Sequence, residues 1–264
     1  MNDILSPQYF SKIVVKMIKL MSYLSADQVI LNSNASVKAW QEAGANEKKV
    51  NLIYPGVNIQ KIDQLLADTQ TINQYKEKFS PDGKPLIGVF GRITEWKGQD
   101  VFLKAIAKVP NARAIIVGEA LFGEDDFKKQ LIQLVKDLNI EDRVVFTGHL
   151  DGVQSVMAAC DVVVHCSTLP EPFGLVTAEA TVTGTPVIAS DAGGSQEIIK
   201  HGERGQLTAI GDHDALATAI QFCLDNPDEA RSMAQKARAH TIENFSTDVM
   251  KSEFIKVVQK EITL

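Results

Sequence analysis

The sequence predicts an α/β fold built on a parallel β-sheet, and three observations support this prediction. From residue 85 onward, short runs rich in Val, Ile and Phe alternate with segments of helical periodicity. The runs lack the polar–apolar alternation of a strand with one face in solvent, which indicates strands covered on both faces. Regular alternation of strands and helices favours right-handed crossovers and hence parallel neighbours.

The predicted elements follow one another closely from residue 85 onward. Strands are expected at residues 85–90, 112–117, 143–146, 161–165, 186–190 and 205–208. Helices are expected at residues 98–108, 125–138, 152–159, 173–183, 212–224, 228–242 and 247–261. Because ligands of parallel α/β sheets bind beyond the carboxyl ends of the strands, the loops after these strands are the expected binding region.

The first 57 residues have a different pattern. They predict a helix at 9–24, strands at 28–31 and 50–54, and a helix at 35–43 between the strands. Two strands and two helices cannot easily bury a core alone, so this part is expected to belong to something larger. The residues from 58 to 84 predict a hinge and connector with helical tendency.

The helix predicted at residues 9–24 carries an apolar face and a basic stripe. The apolar face, which we expect to be the core face, consists of Phe10, Val14, Met17, Met21 and Leu24. Lys12, Lys16 and Lys19 lie at helical spacing. This stripe is either a solvated face, the interpretation that we favour, or a surface for anionic lipid.

Composition argues against several other classes of protein. The 264 residues are 45% hydrophobic and carry a net charge of -6, which offers no general attraction to nucleic acid. Three scattered cysteines make neither a disulfide framework nor a Cys-x-x-Cys pair, which is typical of a reducing compartment. The sequence shows no signal peptide or membrane-spanning stretch, so we expect a cytoplasmic protein, with the inner face of a membrane as an alternative.

A glycine-rich loop at residues 91–98 follows the first strand of the main sheet and opens a helix. A helix amino terminus presents free N–H groups and partial positive charge, and Gly91 and Gly98 allow a ligand to approach the backbone. Arg92 and Lys97 add two full charges. The loop therefore predicts a diphosphate site that works without metal, although an ordinary loop with two exposed basic side chains would look the same.

The strongest clue is a pair of glutamates on either side of a helix start. Glu171 is expected in a loop, and Glu179 lies about one and a half turns into the next helix. Pro172 suits the start of a helix, and Gly174 permits close approach. A carboxylate can accept two hydrogen bonds from paired hydroxyls of a sugar or a ribose. The alternative is that both acidic residues only stabilise the helix amino terminus.

A second glycine turn follows the strand predicted at residues 186–190. Gly193 and Gly194 can turn backbone N–H groups towards a phosphate, and Ser195 is a suitable helix cap. Glu197 either bonds a sugar hydroxyl or reinforces the cap. The sequence leaves both interpretations open.

These segments, in this order, resemble the donor-binding domain of the group 1 family of retaining glycosyltransferases, which have the GT-B architecture of two Rossmann-like domains. The resemblance covers residues 85–245. It is carried by Gly91-Arg92, Lys97-Gly98, Glu171-Pro-Phe-Gly with Glu179-Ala, Gly184 to Ser190, and Gly193-Gly194 with Glu197. Residues 26–33 and 53–58 look like the closing strands of the family's acceptor domain and its hinge.

The resemblance implies four parts. Residues 1–57 would be the remnant of an acceptor-binding domain and residues 58–84 the hinge and connector. Residues 85–246 would form a Rossmann-like doubly wound sheet that binds a nucleotide sugar, and residues 247–264 a terminal helix that crosses back to the first domain.

The resemblance also implies roles for particular residues. Arg92 and Lys97 would bind the donor diphosphate, Glu171 would meet the transferred sugar, and these three are the implied catalytic residues. Glu179 would meet the ribose. The other implied donor-binding positions are Gly91, Gly118, Arg143, Val144, Phe173, Gly174, Leu175, Gly193 and Gly194. The resemblance implies no cofactor and no metal beside the nucleoside diphosphate sugar.

The function that the resemblance implies is transfer of a hexose, with retention, to an unknown sugar, lipid or small-molecule acceptor, as in polysaccharide biosynthesis. The alternatives are a non-catalytic nucleotide-sugar-binding module and, more weakly, an epimerase or a phosphorylase. This sequence departs from the family at Gly118-Glu119-Ala120, where Gly-x-Gly is frequent, and it holds only the last part of an acceptor domain. We therefore expect a separate acceptor-domain chain or self-association as a partner. His149 and His165 are expected to be held by backbone hydrogen bonds.

Overall fold

The computed structural model describes residues 4–5, 10–121 and 123–262, and its amino-terminal unit is small. This unit contains two helices, α1 (Lys12–Leu24) and α2 (Asn34–Glu42), and two parallel strands, β1 (Val29–Leu31) and β2 (Val50–Leu52). The buried members of its apolar cluster are Leu5, Leu31, Trp40 and Ala45. A core of this size contributes little free energy of folding, so the unit depends on its contacts with the rest of the chain.

Two helices lead from this unit to the main sheet. They are α3 (Ile59–Ala67) and α4 (Thr69–Phe79), and the side chain of Asp68 caps the second of them. Ile62 and Phe79 are buried among core residues of the main sheet. The segment for which the sequence predicted a hinge and connector therefore packs into the core of the main domain.

The main sheet contains six parallel strands and confirms the predicted α/β fold class. The strands are β3 (Leu86–Phe90), β4 (Arg113–Val117), β5 (Val144–Gly148), β6 (Val162–His165), β7 (Val187–Ser190) and β8 (Gln206–Thr208). The helices are α5 (Gln99–Ala107), α6 (Asp125–Asp137), α7 (Val153–Ala159), α8 (Leu175–Val182), α9 (Ser195–Ile198), α10 (His213–Asp225), α11 (Pro227–Phe245) and α12 (Thr247–Ile262).

Both faces of the main sheet are covered by helices, which explains why the strands lack polar–apolar alternation. Along β6, Val162 and Val164 pack on one face against a cluster that includes residues of α5, α6 and α10. Val163 points to the opposite face and packs with residues of α7 and α8. Each face of the sheet therefore has its own apolar core, as in doubly wound folds.

The strand order β5-β4-β3-β6-β7-β8 determines where a ligand can bind. The chain moves to one side of β3 through β4 and β5, and it then returns and moves to the other side through β6, β7 and β8. The order thus reverses between β3 and β6. In doubly wound sheets this reversal opens a crevice at the carboxyl ends of the strands, where ligands bind. Arg92 and Glu171 lie in the two loops that border this crevice.

The packed face of α1 is not the face that the sequence predicted. Phe10, which precedes α1, packs against the small amino-terminal core as predicted, and Val15 and Ile18 of the helix pack there with it. Four side chains expected to be buried are exposed, namely Val14, Met17, Met21 and Leu24. The prediction was wrong because α1 has apolar residues on several sides, and periodicity alone does not decide which of them meets a neighbour. No helix in the described ranges is long and apolar enough to cross a membrane.

The helix α12 returns from the main domain to the amino-terminal unit. At its start, the Thr247 amide donates a hydrogen bond to the Val57 carbonyl at 2.9 Å. Near its end, Gln28 Nε2 donates to Glu261 Oε1 at 2.6 Å. These two contacts hold α12 against the amino-terminal unit.

Candidate functional site

A cleft of about 320 Å³ lies at the carboxyl edge of the main sheet. It is formed where β3, β4 and β5 end and where α7 and α8 begin. Its lining residues are Phe90, Gly91, Arg92, Val117, Gly118, Glu119, Leu121, His149, Leu150, Val153, Met157, Val176 and Glu179. Its size is within the usual range of ligand sites. Four of the predicted donor-binding residues line it, namely Gly91, Arg92, Gly118 and Glu179.

Two glycines allow the loops after β3 and β4 to meet at this cleft. Gly118 has a φ of +145°, and a Cβ at this position would lie 2.0 Å from the Gly91 carbonyl oxygen. Two backbone hydrogen bonds join the loops, one from Gly91 to Val117 at 3.0 Å and one from Ile93 to Glu119 at 2.9 Å. Gly118 therefore fixes the position of Arg92 by close backbone packing.

The loop after β3 continues into a single 3₁₀ turn that carries Lys97 into the site. Gly98 follows it with a φ of +69°, and a Cβ there would lie 2.0 Å from the Cys166 carbonyl oxygen. Gln99 Nε2 donates to the Arg92 carbonyl at 2.9 Å and holds the loop from inside. As a result the loops after β3 and β6 are in contact, and the Lys97 ammonium forms an ion pair with Glu171.

Glu171 is the centre of a buried polar network. Its Oε1 accepts hydrogen bonds from Lys97 Nζ, from His165 Nε2 at 2.7 Å and from Ser167 Oγ at 2.6 Å. The Glu171 side chain is 9% exposed and that of Lys97 is 13% exposed. The prediction that backbone hydrogen bonds satisfy His165 is therefore wrong, because its Nε2 bonds the Glu171 carboxylate.

The neighbours of Glu171 determine its charge. Burial raises the pKa of the carboxyl group, but the opposing effects of His165 and Lys97 outweigh burial and hold this pKa well below its usual range. Glu171 is therefore ionised at neutral pH despite its burial. An anionic acceptor next to Lys97 is suited to bind hydroxyl groups of a ligand.

The glycine turn after β7 supports Glu171 from behind. Gly193 has a φ of +62°, and a Cβ there would lie 2.2 Å from the Glu171 carbonyl oxygen. The Gly194 amide donates to that same oxygen at 2.8 Å, and a Cβ on Gly194 would lie 2.3 Å from Phe173 Cα. These glycines are therefore required for the conformation of the loop that carries Glu171.

Gly174 precedes α8, and Glu179, in the second turn of this helix, lines the cleft. Gly174 has a φ of +93° and precedes the free amides at the start of α8. Gln154 Nε2 donates to Glu179 Oε2 at 3.2 Å. Burial raises the pKa of Glu179, and the contacts with Gln154 and Lys61 offset this only in part. The hydrogen bond and the charge near Glu179 thus do not fully offset the effect of burial on its ionisation.

Two predicted positions do not reach the cleft, and the structure corrects them. Arg143 and Val144 lie at the amino end of β5, one strand length, or about 16 Å, from its carboxyl end. The Arg143 guanidinium is buried and donates to the carbonyls of Val109 at 2.9 Å and Ala112 at 3.2 Å. It therefore stabilises the turn between α5 and β4.

Two other residues occupy the place that the prediction gave to Arg143 and Val144. Glu119 and His149 follow the carboxyl ends of β4 and β5, and both line the cleft. Lys128 Nζ lies 3.0 Å from Glu119 Oε2, and the imidazole of His149 is 77% exposed. The sequence analysis singled out His149 but expected backbone hydrogen bonds to hold it, and its exposed imidazole does not fit that expectation. The rule that ligands bind beyond the carboxyl ends of parallel strands favours a binding role for both residues.

Glu197 does neither of the two things that the sequence suggested. Its carboxylate accepts from the Asn34 amide at 3.0 Å and from Tyr54 Oη at 2.6 Å, and the Ala35 amide lies 3.2 Å away. It thus caps the amino terminus of α2 from the main domain. Burial, together with the Glu197 carboxylate, raises the pKa of Tyr54. Glu197 links the two parts of the chain next to the turn that supports Glu171.

Comparison with known proteins identifies the family. A sequence profile described as "Glycosyl transferases group 1" matches residues 70–240. The chain belongs to the group 1 glycosyltransferase family. Its match includes the loops that carry Arg92, Lys97, Glu171 and Glu179, so the motifs that suggested the resemblance lie inside the matched region.

Two relatives of this group 1 glycosyltransferase chain show how far the similarity extends. N-acetyl-alpha-D-glucosaminyl L-malate synthase of Bacillus anthracis is 32% identical over 77% of the chain and 54% of its own length. A glycosyltransferase of Methanocaldococcus jannaschii is 29% identical over 94% of the chain and 63% of its own length. The chain thus spans between about half and two thirds of the length of these relatives.

A solved structure shows the same fold with ligands. Anabaena HepE in complex with UDP and glucose is 35% identical, with a TM-score of 0.93 over 98% of this chain and 70% of that one. A further structure of the same protein, with UDP-glucose, is 34% identical with a TM-score of 0.91. The arrangement of both parts of this chain therefore matches that of a protein whose complexes contain UDP and UDP-glucose.

Proposed function

We propose that this chain binds a uridine diphosphate sugar and provides the donor side of a retaining, metal-independent hexosyl transfer. The observation that carries this proposal is the convergence of Lys97, ionised Glu171 and Glu179 on the carboxyl edge of one sheet, beside the loop of Arg92. Each group suits one part of a nucleotide sugar. The positive charges of Arg92 and Lys97 suit the diphosphate, and the carboxylates of Glu171 and Glu179 suit the hydroxyls of the sugar and the ribose.

The donor-side chemistry consists of stabilising a leaving group. As the bond between the sugar and the diphosphate breaks, its electron pair stays on the diphosphate oxygen, whose charge grows. Arg92, Lys97 and the free amides at the start of α8 provide positive charge and N–H donors at that place. Glu171, held ionised, accepts a hydrogen bond from a sugar hydroxyl and orients the ring. The acceptor hydroxyl oxygen then bonds the sugar carbon, and its proton passes to the departing diphosphate oxygen.

The identity of the base is proposed from the neighbours and from the cleft itself. The HepE complexes contain UDP and UDP-glucose. Here the end of the cleft beyond Gly118 is formed by Glu119, Leu121, His149 and Leu150. Leu121 and Leu150 offer apolar surface to the face of a flat base, and Glu119 and His149 offer polar groups to its edge.

The first test is a calorimetric titration of the chain with UDP, GDP and ADP in the presence of a chelator. We expect UDP to bind without metal, and Arg92→Ala to weaken it by about tenfold to hundredfold, because a hydrogen bond to a charged group contributes about 1.5–3 kcal/mol. Arg231→Ala is the matched control, since the Arg231 side chain is 66% exposed and forms its ion pair with Asp228 of the same helix. Binding of no nucleotide, or equal loss in both variants, would contradict the donor site.

A second prediction concerns Glu179 and protons. Ribose hydroxyls that donate to Glu179 favour its ionised form, so UDP binding should lower the raised pKa of this carboxyl and release protons at mildly acidic pH. The measurement is UDP calorimetry in two buffers of different ionisation enthalpy. Glu179→Gln should remove this part of the release and leave only the part that comes from the diphosphate. Equal proton release in both proteins would exclude the contact.

A further inference from the structure

His165 is a buried polar side chain at the end of a central strand, and the donor chemistry described above gives it no role. It is 4% exposed, and its Nε2 lies 2.7 Å from Glu171 Oε1. Because an ionised carboxylate only accepts hydrogen bonds, Nε2 carries the hydrogen. The other ring nitrogen, Nδ1, is buried without a hydrogen-bond partner among the described residues. Nε2 also lies 3.3 Å from Ser167 Oγ, so Glu171 and Ser167 together hold the polar edge of this ring in the core.

Ser167 completes the support of the same carboxylate oxygen. Its hydroxyl donates to Glu171 Oε1 at 2.6 Å, and its own backbone carbonyl accepts from Ser190 Oγ at 2.8 Å. His165 thus lies within β6, and Ser167, two residues beyond the end of β6, is tied to β7. The third donor, Lys97, ends the 3₁₀ turn in the loop after β3.

We propose that His165, with Ser167, is a positioning residue that keeps the Glu171 carboxylate oriented towards the donor sugar while Lys97 turns to the diphosphate. The inference rests on the proposed function and adds an assignment to it. Lys97 is needed by two anions, the carboxylate and the diphosphate. Without other donors, a carboxylate that is 9% exposed would lose its orientation whenever Lys97 moved.

The arrangement also decides which oxygen meets the ligand. Lys97, His165 and Ser167 all bind Oε1. Oε2 is thereby turned away from the two protein anchors and is the oxygen that accepts from a sugar hydroxyl. Loss of His165 should consequently affect the sugar part of the donor and leave the nucleotide part unchanged.

The test compares three variants by calorimetry with UDP and with UDP-glucose. Glutamine can place an amide N–H close to the position of His Nε2, asparagine is too short, and leucine has no donor. We expect His165→Leu and His165→Asn to bind UDP within about twofold of wild type and to lower the affinity for UDP-glucose relative to UDP by about fivefold to fiftyfold, the loss of one charge-assisted hydrogen bond. His165→Gln should remain within about threefold of the wild-type ratio.

Each outcome decides between a positioning role and a merely structural one. An unchanged ratio in His165→Asn, or an equal loss in His165→Gln and His165→Asn, would overturn the inference. If the leucine variant does not fold, the glutamine and asparagine variants decide alone, because both keep a polar group in the cavity. Absence of UDP binding by the wild-type chain would instead overturn the proposed function, so the two failures are distinguishable.

Discussion

Replacing Lys97 with methionine is expected to weaken UDP binding by about tenfold to hundredfold and to destabilise the fold at neutral pH. Methionine keeps the length and the apolar stem of lysine but removes the charge. Both members of the Lys97–Glu171 pair are largely buried, so the variant leaves an ionised Glu171 with only His165 and Ser167 as donors. Because two donors remain, we expect a loss of about 2 kcal/mol rather than the 3–5 kcal/mol of a fully broken buried pair.

The pH dependence of this loss follows from the pKa of Glu171. Its partners hold this pKa below the usual range, so they stabilise the fold above the ordinary carboxyl pKa, and their contribution is lost as pH falls. In Lys97→Met the pKa of Glu171 rises. The destabilisation should therefore be greatest near neutral pH and shrink in acid, where the carboxyl group is protonated in both proteins. Urea unfolding at a series of pH values measures this.

The matched control is the double variant Lys97→Met with Glu171→Gln. An uncharged amide still accepts hydrogen bonds from His165 and Ser167, so the double variant should regain most of the lost free energy of unfolding. It should not regain UDP affinity, because the charge that meets the diphosphate is absent. If the double variant is no more stable than Lys97→Met, the buried pair is not the cause of the destabilisation.

Gly193→Ala is expected to be the most damaging single-methyl substitution in the glycine turn after β7. The new Cβ would lie 2.2 Å from the Glu171 carbonyl oxygen and 2.8 Å from its amide nitrogen, and neither backbone atom can move without displacing the site. The left-handed φ adds about 1–2 kcal/mol, and the clash about 1–3 kcal/mol. We therefore expect a destabilisation of about 2–5 kcal/mol together with loss of UDP-glucose binding.

Gly184→Ala separates the two contributions. Gly184 has a similar φ of +77°, but a Cβ there would meet no atom within 4 Å. Gly184→Ala should lower the free energy of unfolding only by the cost of the left-handed φ, about 1–2 kcal/mol, and the variant should bind UDP-glucose as the wild type does. Urea unfolding and calorimetry measure both effects. Equal destabilisation and equal binding in the two variants would show that close packing at Gly193 does not support Glu171.

Periodicity and turn residues determined most of the architecture of this protein. Each main-sheet strand lies within two residues of its predicted position, because a parallel strand buried on both faces is a continuous apolar run between turn residues. Arg92, Lys97, Glu171 and Glu179 could be selected for a related reason, since each lies in a loop after a strand or in the helix that such a loop opens. Strand positions and the loops that follow them depend on nearby residues, so the sequence is enough to predict them.

Tertiary packing decided the rest. Which face of α1 packs, and that Glu197 caps a helix of the other unit, depend on segments that are distant in sequence. Arg143 begins the strand predicted at residues 143–146, so the sequence already put it at the amino end of that strand. Packing decided that its guanidinium meets the carbonyls of Val109 and Ala112. The network of Lys97, His165, Ser167 and Glu171 joins two loops that only the reversal of strand order between β3 and β6 brings together. A sequence pattern indicates contacts between residues that are a few positions apart. Hydrogen bonds between distant loops form only once the sheet has brought those loops together.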